Sequence, residues 1–198
     1  MTAIIDYGTG NLFSLGAALD KIGESYIITS DESLILSSER IILPGVGEAS
    51  GSMRLIKEGG IDSILKKTEL PVLGICIGMQ LMCSYSEEGF SKCLGVFPAK
   101  VKRLQGNLVK IPHMGWNRVE MLEGPLFEGI NNGEWFYFVH SYAPELSDET
   151  SSVTEHGLKF SSSLSSGRYF GTQFHPEKSG KAGEKVLRNF IKMRKTDF

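Results

Sequence analysis

A short apolar run, Pro71-Val72-Leu73, passes straight into Gly74-Ile75-Cys76-Ile77-Gly78 and from there into a helical pattern. A strand that turns at once into a helix is the repeating step of α/β architecture, and short apolar runs alternate with helical patterns through the first half of the chain. Ala3-Ile4-Ile5 reads as a first strand. Leu12, Leu15, Leu19 and Ile22 then recur at spacings of three and four, as one buried helix face requires, before Gly23 ends the helix. Tyr26-Ile27-Ile28 and Arg40-Ile41-Ile42-Leu43 follow as strands, the second running into Pro44-Gly45-Val46-Gly47. From about Val96 the pattern changes: Trp135 to Val139, Lys159 to Leu164 and Tyr169 to Phe174 alternate, which predicts antiparallel strands and hairpins beside a parallel core. Val186, Leu187, Phe190 and Ile191 mark an amphipathic closing helix that leaves the basic stretch Lys192 to Lys195 in solvent. With no repeat, low-complexity tract or linker in 198 residues, the expectation is a single three-layer α/β domain over residues 1–198. Its central sheet is mainly parallel, with flanking helices and additional antiparallel strands.

The turn after Leu73 also carries chemistry. A side chain at such an elbow stands clear of the sheet, and flanking glycines leave no Cβ atoms to crowd it. The first amide of the following helix points at the same spot, where it serves a thiolate and a tetrahedral oxyanion alike. Cys76 is therefore a candidate nucleophile, although glycine-flanked cysteines also occur in plain turns. Far downstream stands Gly171-Thr172-Gln173-Phe174-His175-Pro176-Glu177-Lys178-Ser179. An ordinary cysteine is only a few per cent thiolate at neutral pH, so a nearby imidazole has to take its proton. His175 can do so, Glu177 can bond the other ring nitrogen and fix the tautomer, and Pro176 stiffens the backbone between them. In isolation, His-Pro-Glu is also what a solvated surface turn looks like.

An elbow cysteine followed much later by His-x-Glu resembles the class I, or triad, glutamine amidotransferases. Further segments narrow the likeness: Ile5-Asp6-Tyr7-Gly8-Thr9-Gly10-Asn11-Leu12, Leu43-Pro44-Gly45-Val46-Gly47, Cys76-Ile77-Gly78-Met79-Gln80, Ile111-Pro112-His113-Met114-Gly115-Trp116-Asn117 and Phe136-Tyr137-Phe138-Val139-His140-Ser141-Tyr142. In this order they are similar to the glutaminase subunits of imidazole glycerol phosphate synthase, from the first strand to Lys178-Ser179. The resemblance implies a class I glutamine amidotransferase-like, flavodoxin-like fold and a Cys76-His175-Glu177 triad that hydrolyses glutamine to glutamate and ammonia. It implies an oxyanion hole from the backbone at Val46 and Gly47, opposite the amide of Ile77. It also implies glutamine binding by Gln80 and by the backbone of Ser141 and Tyr142. Asn11, Met114, Trp116 and Lys178 match family positions at or near a partner interface. That partner is a (β/α)8-barrel cyclase, bound as a heterodimer, which uses the ammonia to make imidazole glycerol phosphate and an aminoimidazole carboxamide ribotide in histidine biosynthesis. No cofactor and no metal enter this scheme.

Residue by residue, plainer roles stay open. Gln80 is a surface helix residue or, four positions after Cys76 on one helical face, a ligand. Ser141 fits a hairpin turn as well as a binding strand, Trp116 fits the core as well as an interface, and Lys178 fits a solvated charge. Cys83, on the same helical pattern as Cys76, and Cys93 read as small packed hydrophobes, and His156 as a solvated turn residue. Cys83, Cys93, His113 and His140 lack zinc-ligand spacing. The Gly8-Thr9-Gly10-Asn11 loop lacks the glycines and lysine of a phosphate loop and reads as a turn that also meets a partner.

Composition excludes some classes. With 41% hydrophobic and 22% charged residues the chain reads as globular, and a net charge of −2 gives no general attraction to nucleic acid or an anionic membrane. Three irregularly spaced cysteines make no disulfide framework, and the amino-terminal stretch carries neither a basic segment nor a long apolar run, so the expected location is the cytoplasm. Other readings use the same residues. Ala143 stands where a second tyrosine is common in the family, leaving room for a related subunit that feeds ammonia to another synthase, for example one for surface sugars. A stand-alone cysteine γ-glutamyl hydrolase and a non-catalytic module are the others.

Overall fold

The structure, a computed structural model, describes residues 1–9, 11–106 and 109–198; Gly10 of the amino-terminal loop lies outside them. The chain opens with β1 (Thr2–Ile5), buried on both faces, and α1 (Leu12–Ile22). Asn11 caps α1 by accepting from the amide of Ser14 at 3.4 Å, and Gly23 ends it in the left-handed region at φ +78°. β2 (Tyr26–Thr29), α2 (Glu32–Leu36), β3 (Arg40–Leu43), α3 (Ala49–Glu58), α4 (Ile61–Lys67), β4 (Val72–Ile75) and α5 (Ile77–Met82) follow. Like β1, strands β3 and β4 are buried at every residue, which is why residues 3–5, 41–43 and 72–75 read as apolar runs rather than alternations. Helix α5 stops at Met82, so Cys83 is not on it: the backbone there is already extended, and the thiol packs beneath.

Beyond α5 the chain builds short strands β5 (Tyr85–Ser86), β6 (Ser91–Lys92) and β7 (Lys100–Arg103), then the antiparallel pair β8 (His113–Val119) and β9 (Glu134–His140), with His113 opposite His140. β10 (Tyr142–Pro144) joins the small sheet in the order β10-β7-β5-β6. β11 (Thr150–His156), β12 (Leu158–Ser166) and β13 (Tyr169–Thr172) complete a seven-stranded sheet ordered β11-β12-β13-β4-β3-β1-β2, and α6 (Gly180–Phe190) closes the described fold. Helix α1 packs on α6, while α3 packs on α4 and α5.

Further expectations differ from the fold. The Tyr169–Phe174 stretch is antiparallel only to β12; on its other side β13 runs parallel to β4, and it ends at Thr172. The alternation of apolar residues cannot distinguish these cases, because a strand between two others is paired differently on each edge. Four buried serines of β11 and β12 satisfy each other: Ser151 with Ser163 at 2.7 Å, and Ser152 with Ser162 at 2.9 Å. Trp116 is not core; it is 52% exposed, on the face of β8 that also carries Met114. Nor is His156 merely solvated: it ends β11, half-buried, its ring stacked 4.0 Å from that of His113.

Candidate active site

The parallel register of β4 and β13 brings the two chemical segments together. Gly171 and Thr172 lie beside Gly74 and Ile75, so both strands end at the same rim and the chain leaving β13 arrives next to Cys76. The amide of Cys76 donates to the Thr172 carbonyl at 2.7 Å, pinning the elbow to that neighbour. Cys76 itself sits at φ 54°, ψ −110°, a conformation costing a non-glycine residue about 1–3 kcal/mol. Close packing holds it there: a Cβ on Gly78 would stand 1.9 Å from the Leu43 carbonyl oxygen, so only glycine lets α5 start this near the end of β3.

His175 and Glu177 follow on a single 3₁₀ turn, Pro176–Lys178. The ring Nδ1 donates to Glu177 Oε1 at 2.8 Å, with the side chains only 2% and 3% exposed. The backbone is held on both sides, by the His175 amide donating to the Tyr137 carbonyl at 2.9 Å and by Ser179 Oγ donating to the His175 carbonyl at 2.6 Å. Nε2 is buried and finds no hydrogen bond of regular geometry among the described residues. Burial disfavours the charged ring, but hydrogen bonds and charges from Cys76 and Glu177 outweigh it and raise its pKa to about 10. His175 therefore holds an imidazolium proton next to the sulfur.

A cleft of about 310 Å³ opens over these groups, lined by Gly45, Val46, Gly47, Cys76, Ile77, Gln80, Glu88, Pro112, Val139, His140, Ser141, Tyr142 and His175. It contains every residue expected to form the oxyanion hole or bind the substrate, and two of the three expected triad members; Glu177 lies behind the ring. Gly47 has φ +109°, open to glycine and strained for other residues. Gln80 is not on the surface. It is buried, donating through Nε2 to the Tyr142 carbonyl at 2.8 Å and to Gln173 Oε1 at 2.9 Å.

Two lining or supporting residues were given no role from sequence. Gln173 Nε2 lies 3.6 Å from Cys76 Sγ, linking that sulfur to Gln80; its place two residues before His175 was the available signal. Glu88 reaches the cleft from a short turn and accepts from the Ala49 amide at 3.0 Å, with its carboxyl pKa raised by burial and by the charge of Glu48. No local pattern marks it. The expected interface residues lie outside the cleft lining: Met114 is 64% exposed, Trp116 packs edge-on to Tyr137 at 6.1 Å, and Lys178 Nζ lies 5.9 Å over the same ring. Asn11 borders a small void with Val46, His175 and Glu177. Among the described residues no group of three or more His, Cys, Asp or Glu converges as a metal site, and no helix is long and apolar enough to cross a membrane.

The family model for glutamine amidotransferase class-I matches residues 3–193. The chain belongs to the class I glutamine amidotransferases. This amidotransferase is 45% identical over 193 residues to the imidazole glycerol phosphate synthase subunit HisH of Bacteroides fragilis, covering 96% of this chain and 98% of that one. It is 44% identical over 197 residues to subunit HisH 1 of Vibrio vulnificus, covering 96% and 97%. A solved glutamine amidotransferase superimposes with a TM-score of 0.74 at 18% identity, over 96% of this amidotransferase and 97% of that chain. PurLQS from Thermotoga maritima gives 0.70 at 19%, over the same shares. At such identities these structures speak to the fold, which is a single α/β domain of this family.

Proposed function

We propose that residues 1–198 act as one glutaminase domain in the cytoplasm, hydrolysing glutamine through Cys76, His175 and Glu177. The ammonia passes to a (β/α)8-barrel cyclase that makes imidazole glycerol phosphate and an aminoimidazole carboxamide ribotide in histidine biosynthesis. The observation that carries the chemistry is the buried His175–Glu177 pair, whose second ring nitrogen is left to the Cys76 sulfur in one cleft. The identity to HisH subunits over nearly the whole length supports the pathway.

Cys76 Sγ attacks the side-chain amide carbon, and the oxygen becomes an oxyanion facing the Ile77 amide and, across the cleft, the Val46-Gly47 backbone. His175 Nε2 gives its proton to the departing nitrogen, so ammonia leaves and a γ-glutamyl thioester remains. The neutral ring then takes a proton from water, which attacks the thioester; the C–S bond breaks, glutamate leaves, and the Cys76 thiolate is restored beside the reprotonated ring. Gln80 fixes the strand at Tyr142, and the Ser141 and Tyr142 backbone suits the substrate carboxylate. Glu88 suits its ammonium group, because a carboxylate at a partly dry cleft wall favours a cation. Asn11, Met114, Trp116 and Lys178 face the cyclase, so that ammonia moves between subunits instead of escaping to water.

Glutamate release, measured with and without the cyclase, tests this reading. A rate stimulated by the cyclase and abolished in Cys76→Ala is expected. Activity of Cys76→Ala within about tenfold of the parent would remove the nucleophile assignment, and a high rate indifferent to the cyclase would point to a free hydrolase.

A further inference from the structure

A hydrogen-bonded chain with a fixed direction runs from β8 into the cleft. Its inner end is the Tyr142 carbonyl, which accepts from Gln80 Nε2 and meets His140 Nδ1, each at 2.8 Å. A carbonyl only accepts, so His140 Nδ1 carries a proton and, in the neutral ring, Nε2 is an acceptor. Nδ1 of His113 lies 2.9 Å from that acceptor and must donate to it. His113 Nε2 is then left to accept from Asn117 Nδ2 at 3.2 Å. Asn117 is itself oriented, since its Oδ1 accepts from the Arg118 amide at 2.8 Å and its Nδ2 also donates to the Glu155 carbonyl at 3.0 Å. Both rings are buried. His113 stacks between Phe138 and His156, and Phe160 meets His140 edge-on, surroundings that favour neutral rings.

We propose that His113 is a positioning residue for the glutamine subsite: by donating to His140 it locks that ring as the Nδ1–H tautomer, which clamps the Tyr142 carbonyl against Gln80 and holds the Ser141-Tyr142 backbone ready for substrate. The inference rests on the glutaminase reading above. Only His140 lines the cleft; His113 acts through it. The outer end of the chain lies on the strand whose opposite face exposes Met114 and Trp116.

Steady-state glutaminase kinetics with the cyclase present test the relay through His113→Leu, which removes the donor, and His113→Asn, which returns an N–H near the Nδ1 position. The expected result is a KM for glutamine raised about tenfold in the leucine variant with kcat within about threefold, and a KM within about threefold of the parent in the asparagine variant. An unchanged KM in the leucine variant, or equal impairment of both, would overturn the proposal. Imidazole nitrogen and carbon NMR of histidine-labelled parent protein at neutral pH needs no substitution: two neutral Nδ1–H rings are expected at 113 and 140, and an Nε2–H ring at 140 would overturn the relay. A parent inactive even with the cyclase would instead defeat the glutaminase reading, leaving the NMR result to judge the hydrogen-bonded chain by itself.

Discussion

His175 is defined by two competing effects, burial that expels charge and two neighbours that retain it. The neighbours win, and the ring keeps its proton up to about pH 10 against an ordinary value of 6.5. The stability this contributes is full below about 6.5 and fades as pH climbs toward 10. On the proposed mechanism that proton is the one given to ammonia, so activity should fall on the alkaline side as the ring loses it. Glu177→Gln keeps the shape and removes the charge, so the alkaline limb of kcat/KM should move toward neutrality and the maximum should drop by about 10²-fold. A limb that stays in place would show that the carboxylate does not support the ring. Cys76, His175 and Glu177 were legible as candidates because each stands in a local pattern, an elbow or an i, i+2 pair, and the structure places them around one cleft. Gln173 and Glu88 were not, because their roles arise from contacts across the fold, to Gln80 and Cys76 in one case and to the start of α3 in the other.

The element that presents Cys76, the proposed nucleophile, is the β4–α5 junction, and its geometry depends on α5 resting against the end of β3. Gly78→Ala puts a carbon 1.9 Å from the Leu43 carbonyl oxygen, a backbone atom that cannot swing aside. Overpacking of this kind costs about 1–3 kcal/mol, and the shift of α5 carries the Ile77 amide away from the proposed oxyanion position. Urea unfolding should show that loss of stability, and glutamate release should fall along with it; an unaltered midpoint would mean that the junction is looser than its packing. Strands β1, β3 and β4 were readable as elements because burial on both faces leaves an apolar run, and α1 because its apolar spacing and terminal Gly23 agree. The pairing of β13 was not readable. Its direction relative to β4 is set by the whole connection from α5 to β12, and the periodicity of four residues holds no record of that path.

At the scale of the whole molecule, exposed apolar side chains and one buried pair of rings have separate consequences. Phe13, Met114 and Trp116 are 87%, 64% and 52% exposed, and on the proposed function a cyclase covers the last two. Trp116→Ala should weaken that association by about tenfold or more, read as the cyclase concentration giving half-maximal stimulation of glutamate release. The rings govern acid stability. Burial lowers His113 to about 4 and His140 to about 3, each ring also feeling the charge of its histidine neighbours, while the unfolded chain titrates near 6.5. Below 6.5 the unfolded chain therefore binds protons that the fold refuses, so stability is complete above that pH and drains as pH falls toward 4. His175 offsets part of this, because it gains stability as pH falls from 7.5 to about 6.5 and is protonated in both states only below that; Glu88, raised by burial and by Glu48, also works weakly the other way. Between pH 7.5 and 5 the unfolding free energy should drop by about 2–4 kcal/mol, measured from urea midpoints at constant ionic strength. Carboxylates held low, such as Glu48 capping α3, cannot produce a loss in that window, because they stay ionised in both states until more acid pH. A flat midpoint across the window would mean that both rings titrate as they do in water and that the cage of Phe138, His156 and Phe160 opens in solution.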